Sequence, residues 1–266
     1  MKVFLAQVIT LALICIAPPS FAQTNSIFEV SPSKLKTSYD VGVATVYRNQ
    51  YTGSNNASTI VLPYANVTYK GRYFFNPALG AGIYAINKDN VRLAVSTHLA
   101  LGREGKDTPF SDQAFAEAFD VDASITTKIS GRVYLPIAAL DVVGTVPVTG
   151  DLDGARLDTL LTTSISPTKK IRITPGVRAT FTTSGWVNTN YGISQAQAEA
   201  SGLNILSLED GLSTLGAHAA AYYKISDDYE IVGVVNQSWL VGDVKESPLA
   251  ASNTGLTAAI GLSRKF

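Results

Sequence analysis

The sequence predicts an all-β protein: an antiparallel, up-and-down transmembrane β-barrel of twelve strands, with ten as the alternative count. Three observations carry this. An export-type leader heads the chain, and long stretches behind it alternate apolar and polar residues with a period of two. No later apolar run reaches the roughly 20 residues of a helical span. Backbone polar groups in lipid must be paired internally, so an exported membrane chain without such a span is left with a closed barrel.

The leader is MKVFLAQVITLALICIAPPSFA, with Lys2, an apolar run from Val3 to Ala17, and small residues at Ser20 and Ala22. This fits an A-x-A type of cleavage site, so residues 1–22 are expected to be a cleaved signal peptide and 23–266 a single barrel domain. An uncleaved anchor is the alternative, and the run is short for one. Cys15 is the one cysteine, and Ile14 stands before it where lipid modification needs a small residue. Its removal leaves a mature chain without disulfides, despite an oxidising destination. Lys+Arg and Asp+Glu both number 21, and the leader contributes only Lys2, which argues against a nucleic-acid surface or a polyanion trap. Charged residues make up 16% of the chain, against roughly 25% in soluble domains.

The strands follow in order. SYDVGVATVYR puts Tyr39, Val41, Val43, Thr45 and Tyr47 on one side. TIVLPYANVTYK continues the pattern, and the region 59–86 reads as one hairpin or two. In VRLAVSTHLALG, Val91, Leu93, Val95, Leu99 and Leu101 alternate with Arg92, Ser96 and His98. In DVDASITTKI, Val121, Ala123, Ile125 and Ile129 oppose Asp122, Ser124 and Lys128. GARLDTLLTTSI sets Leu157 and Leu161 against Arg156 and Asp158. KKIRITPGVRATFTT sets Ile171, Ile173, Val177 and Phe181 against Arg172 and Arg178. LGAHAAAYYKI turns Leu215 and Tyr223 away from His218, Tyr222 and Lys224, while Asn236 and Gln237 blur both faces of YEIVGVVNQSWLVG. The final stretch alternates Leu256, Ala258, Ile260, Leu262, Arg264 and Phe266 with small or polar residues.

A β-sandwich alternates as well. Strand length, about 9–11 residues or more against about 5–6 in soluble sheets, and an aromatic closing strand favour the barrel. Tight turns are expected at 87–90, 129–132, 166–169 and 226–228, on the periplasmic side. Longer outer loops are expected at 103–118, 146–153, 183–211 and 241–253, the rhythm of an outer-membrane barrel.

Chemistry is sparse. No G-x-S-x-G, H-E-x-x-H or phosphate loop is present, so no catalytic residue, metal ligand or cofactor is assigned. His98 and His218, on the lumen parity, are suited to a metal or a serine base, but read first as filling of a polar interior. Asp120, Asp122 and Asp158 read as counter-charges for Arg92, Arg132, Arg156, Arg172 and Arg178, because charges in a narrow interior must be paired. The lumen candidates are therefore Arg92, His98, Arg156, Asp158, Arg172, Arg178 and His218. They form either a packed plug or a pore lining.

Several motifs occur together: YRNQYTGSNN, GRYFFNPALGAGIY, NYGISQAQAEASGL, SWLVGDVKESPLA and the terminal GLSRKF. In this order and spacing they resemble the MipA/OmpV family of outer-membrane proteins, across nearly the whole mature chain. The resemblance implies a Gram-negative outer-membrane barrel in contact with membrane lipid and lipopolysaccharide. The barrel assembly machinery would read its terminal aromatic strand. It also implies a scaffold that joins a lytic murein transglycosylase to a bifunctional penicillin-binding protein. The motif residues Tyr51, Gly53, Tyr191, Ser194, Gln197, Asp243, Ser247 and Pro248 become candidate loop contacts. Segments 191–202 and 242–248 read equally well as turns and caps. One departure stands out: where the family has Arg before Leu-Gly-Asp, this chain has Trp239, Leu240 and Val241. Three functions compete: a non-enzymatic scaffold, a narrow channel for small anionic solutes, and, ranked last, a hydrolase built on a histidine.

Overall fold

The computed structural model describes residues 37–266. The expected cleavage site lies outside the described residues. Twelve antiparallel strands close into one barrel. They are β1 (Ser38–Asn49), β2 (Ala57–Tyr69), β3 (Tyr73–Asn76), β4 (Gly80–Asn87), β5 (Val91–Ala100) and β6 (Ser124–Tyr134). The second half comprises β7 (Ala139–Pro147), β8 (Arg156–Thr162), β9 (Ile171–Thr182), β10 (Gly211–Lys224), β11 (Tyr229–Leu240) and β12 (Thr254–Lys265). Each strand pairs with its sequence neighbours, and β12 closes on β1 with Val43 opposite Leu262. Closure removes the sheet edge that the last strand would otherwise present.

The alternation read from the sequence is the inside–outside pattern of this wall. Val177 is 61% exposed, Ile260 61% and Ile129 58%, while their neighbours Thr180, Ser263 and Lys128 are buried. An apolar exterior over strands of this length is a lipid-facing band. Exposed Tyr39, Tyr69, Tyr73, Tyr223, Tyr229 and Phe266 ring the end that carries the short turns, and Tyr47, Phe181 and Trp239 lie toward the other. Two such girdles mark the interfaces. Arg264 lies 4.5 Å from the Phe266 ring centroid, so the last two apolar-face positions stack on each other.

Two expectations are corrected and one left open is decided. The turn expected at 129–132 lies inside β6, and the chain turns at 135–138, where the Leu135 N–H donates to the Ala138 carbonyl at 2.8 Å. Gly131 suggested a turn, yet it occupies an ordinary strand position, whereas Pro136 lies in the real one. Val121 does not face lipid. It is buried and bridges Arg103 above the barrel. Region 59–86, open between one hairpin and two, contains two, β2–β3 and β3–β4, with β3 only four residues long.

Two helices lie in the loop 183–210: α1 (Ser184–Tyr191) and α2 (Gln195–Ser201). The Ser194 hydroxyl accepts from the Gln197 N–H while the Gln197 side chain accepts from the Ser194 N–H, a capping box that starts α2. Gly202 ends it with φ 73°, the left-handed conformation that glycine adopts without strain. Among the described residues no helix is long and apolar enough to cross a membrane.

Candidate functional site

The lumen has two unlike halves. From β5 to β9 the inward parity carries charge. The Arg156 guanidinium donates to Asp158 Oδ1 at 2.6 Å, and Arg178 reaches the same oxygen at 3.2 Å. Thr180 Oγ1 donates to it at 2.8 Å. Buried charges persist only when paired and hydrogen-bonded, and one carboxylate here serves two cations on adjacent strands. Beside it, Arg132 makes a two-point contact with Asp141 at 2.5 and 2.7 Å. Arg92 lies 5.6 Å from the Tyr134 ring centroid and Arg172 3.7 Å from that of Tyr222.

From β10 through β12 to β2 the middle of the inner face is instead apolar. Ala44, Val46, Tyr64, Ala220, Tyr222, Val232 and Val234 form a buried cluster, with Ile60, Leu62 and Ala259 packed against it. This explains the blurred pattern of β11: Val232 and Val234 point inward at an apolar neighbour, not at water. Asn236, further along the same face, accepts from His218 Nδ1 at 2.7 Å.

At mid-height the β3–β4 turn folds into the lumen. Asn76 Oδ1 accepts from the Ala78 and Leu79 N–H groups at 2.7 and 3.1 Å, fixing the turn. Lys128, 1% exposed, donates its ammonium to the Ala78 carbonyl at 2.7 Å. The His98 ring bonds the Pro77 backbone. Gly80 closes the turn with φ 85° and lies so near the Thr97 carbonyl that a Cβ would stand 2.0 Å from it. This turn is what His98 attends.

The outer mouth is closed by the long loops. Phe119, Ile193 and Leu249 form one buried cluster over the barrel, with Phe110 and Phe115 packed on it. Val187, Leu208, Leu240 and Val244 form another. The Tyr51 hydroxyl donates to the Leu249 carbonyl at 2.6 Å, Tyr191 to that of Thr52 at 2.8 Å, and Ser247 to that of Tyr191 at 2.5 Å. Gly53, at φ 98°, donates its N–H to the Thr254 carbonyl at 2.9 Å. Arg103 bonds the carbonyls of Asn190 and Phe119 and lies 5.3 Å from the Tyr51 ring centroid. Burial pushes the Tyr51 phenol up to about 12 and raises that of Tyr191 as well.

The structure thus sorts the candidate residues. Arg156, Asp158 and Arg178 come together. Arg92, Arg172 and His218 lie in the lumen with other partners, and His98 and His218 stand on non-adjacent strands. Tyr51, Gly53, Tyr191 and Ser247 build the cap, Ser194 and Gln197 cap α2, and Asp243 and Pro248 are exposed. Asp120 and Asp122 are not lumen counter-charges. They lie above β6 in the outer loop, where Asp120 Oδ1 accepts from the Gly105 N–H at 2.5 Å. Asp141 takes the counter-charge role opposite Arg132. Sequence reasoning missed it, and also missed Lys128, although both sit on the lumen parity. Among the described residues no three His, Cys, Asp or Glu side chains group as a metal site.

Residues 41–266 match the family described as MltA-interacting protein MipA. No curated protein matches the chain. Among solved structures, the NanC porin aligns at 9% identity and TM-score 0.42, over 85% of this chain and 100% of that one. The anion-selective porin from Comamonas acidovorans aligns at 7% identity and TM-score 0.38, over 87% and 99%. Neisserial surface protein A aligns at 9% identity and TM-score 0.27, over 86% and 97%.

Proposed function

The chain belongs to the MipA family of outer-membrane barrels, and on that footing we propose that it is a non-enzymatic scaffold for peptidoglycan-remodelling enzymes. The family description names an interaction with MltA, a lytic transglycosylase by the resemblance set out above. A bifunctional penicillin-binding protein is the second expected partner. The observation that carries the reading is a lumen obstructed at three heights. The inward turn at Pro77–Leu79, the Arg156–Asp158–Arg178 cluster and the loop cap occupy the interior at three levels. Function then falls to the rims. The periplasmic rim exposes Lys70, Arg72, Lys88, Lys169, Lys170 and Arg264 beside Asp89, Asp227 and Asp228, with Lys224 paired to Asp227 and Lys265 to Glu230, and this excess of cations suits a partner with an acidic face. Lipopolysaccharide at the outer leaflet and the assembly machinery during biogenesis are the remaining partners of this reading.

A narrow anion channel is the second reading, favoured by the cationic half of the lumen. Two measurements separate them. Mild crosslinking in cells should recover a transglycosylase or penicillin-binding protein with the barrel, and charge reversal of Lys169 and Lys170 should weaken recovery. The refolded protein in a planar bilayer should be silent. Discrete anion-preferring steps, with no murein enzyme recovered, would replace the scaffold by the channel.

A further inference from the structure

Beneath the loop cap the lumen holds a chamber of about 100 Å³. A water takes about 10–15 Å³ of such space, so the chamber has room for several waters or for one molecule of a few heavy atoms. Tyr51, Thr52 and Tyr191 of the cap line it from above, and Arg156, Arg178 and Thr180 of β8 and β9 line it from below. Arg103 is a third arginine in the wall. Among the described residues that line the chamber there is no aspartate or glutamate. A cavity of about 10 Å³ that reaches His98 and Lys128 shares Ala100, Arg156 and Trp186 with it.

The charges around the chamber are uneven. Above, Asp107 and Asp120 of the outer loop face Arg103. Below, the charged groups facing Asp158 are Arg156 and Arg178, and those facing Lys128 are the same three residues. Arginine keeps its charge in proteins, so Arg156, Arg178 and Asp158 together carry a net positive charge whatever the state of Lys128. Buried charge of one sign is costly until an opposite charge meets it. A donor marks where that charge is wanted. Arg156 is 9% exposed, and its guanidinium donates to Asp158 through Nη2. Its buried Nε has no hydrogen-bond partner among the described residues, and neither has the buried Nε of Arg103. Such donors cost stability when unmet, and an oxyanion is the acceptor that suits a guanidinium best.

We propose that the chamber beneath the cap binds a small oxyanion, held by Arg156 with Arg103 and Arg178 beside it. Inorganic phosphate and a short carboxylate share this chemistry. The apolar part of the wall, Leu101, Val121, Leu152 and Val187, suits the tail of a carboxylate. The proposal does not rest on the scaffold reading. It requires binding and not conduction, so a barrel that is silent in a bilayer is compatible with it.

The chain offers its own reporter. Trp186 lines both cavities, and Trp239, the second of its two tryptophans, is 41% exposed on the outside, so Trp239→Phe leaves one tryptophan in the chamber wall. The refolded Trp239→Phe barrel, checked by heat-modifiable gel mobility, is titrated with iodide, an anionic contact quencher, and separately with neutral acrylamide, at constant ionic strength. Saturable quenching of Trp186 by iodide is expected, reversed by inorganic phosphate or by propionate. The competitor that acts at the lower concentration names the source. Arg156→Gln should raise the iodide half-saturation about tenfold or more, as expected for a lost charge-assisted bond, with acrylamide quenching unchanged. Ala100→Leu narrows the chamber without touching a charge. It should weaken iodide quenching as well, and it keeps the test open if Arg156→Gln does not fold. Iodide quenching that rises linearly, that neither competitor reverses, or that is unchanged in a variant that folds overturns the proposal.

Discussion

The Lys128 ammonium, on the lumen face of β6, holds the Ala78 carbonyl of the β3–β4 turn at 2.7 Å. This bond ties the short β3–β4 hairpin to β6, two strands further round the wall. Lys128→Leu keeps the volume and removes the donor. It should leave the Ala78 carbonyl unpaired, a loss of about 1–3 kcal/mol in urea unfolding followed by gel mobility. Hydrogen exchange at Ala78, Leu79 and Gly80 should rise, with exchange at Val177 unchanged.

Asp158 is the shared anion of Arg156 and Arg178. Asp158→Asn removes the negative charge that Arg156 and Arg178 share. It should lower folding stability by about 3–5 kcal/mol in a vesicle-based denaturant titration. The double variant Asp158→Asn with Arg178→Met should be less destabilised than the sum of the single changes, because one cation is removed with its partner.

The exterior band makes a depth-dependent prediction. Val177 is 61% exposed at the middle of β9. Val177→Arg places a charge in hydrocarbon and should reduce stability by about 2–4 kcal/mol. Lys265→Arg, at the rim, should leave it unchanged. Equal effects in a vesicle refolding titration would argue against the assigned membrane band.

The cap should open in alkali. Burial raises the Tyr51 phenol from 10.0 to about 12. A raised value means that the protonated form is the one the folded cap holds. Its contribution is complete below pH 10.0, declines as the unfolded phenol ionises, and is lost as pH passes about 12. Tyr191 shifts in the same direction. Protease cleavage in loops 101–123 and 241–253 should therefore be slow at neutral pH and rise above pH 10. Tyr51→Phe should remove part of that rise and cost about 1 kcal/mol of cap stability at neutral pH.

Much of the architecture was legible in single stretches. Alternation in VRLAVSTHLALG and KKIRITPGVRATFTT assigned Leu93, Val95, Ile173 and Val177 to lipid and Arg92, His98, Arg172 and Arg178 to the interior. Asp158 was read as a counter-charge, but its choice of Arg156 and Arg178 depends on β8–β9 register. Asp120 and Asp122 were misplaced because period-two reasoning does not show where a strand ends and a loop begins. The motif residues Tyr51, Tyr191 and Ser247 stood out as a set, but their joint role in a cap needed three separate loops brought to one place.

What the sequence determined by itself is the facing of each side chain, since a strand turns successive residues to opposite sides whatever its neighbours are. It also determined the need for closure, since a chain in lipid leaves no edge unpaired without cost. The tertiary structure alone decided that an apolar cluster fills the middle of one side of the lumen and a charged one the other. It alone decided that a four-residue strand stops short and that its turn folds inward to meet Lys128. These depend on which strand lies next to which and how far each one climbs, quantities set by register and closure around the ring and not by any local run of residues.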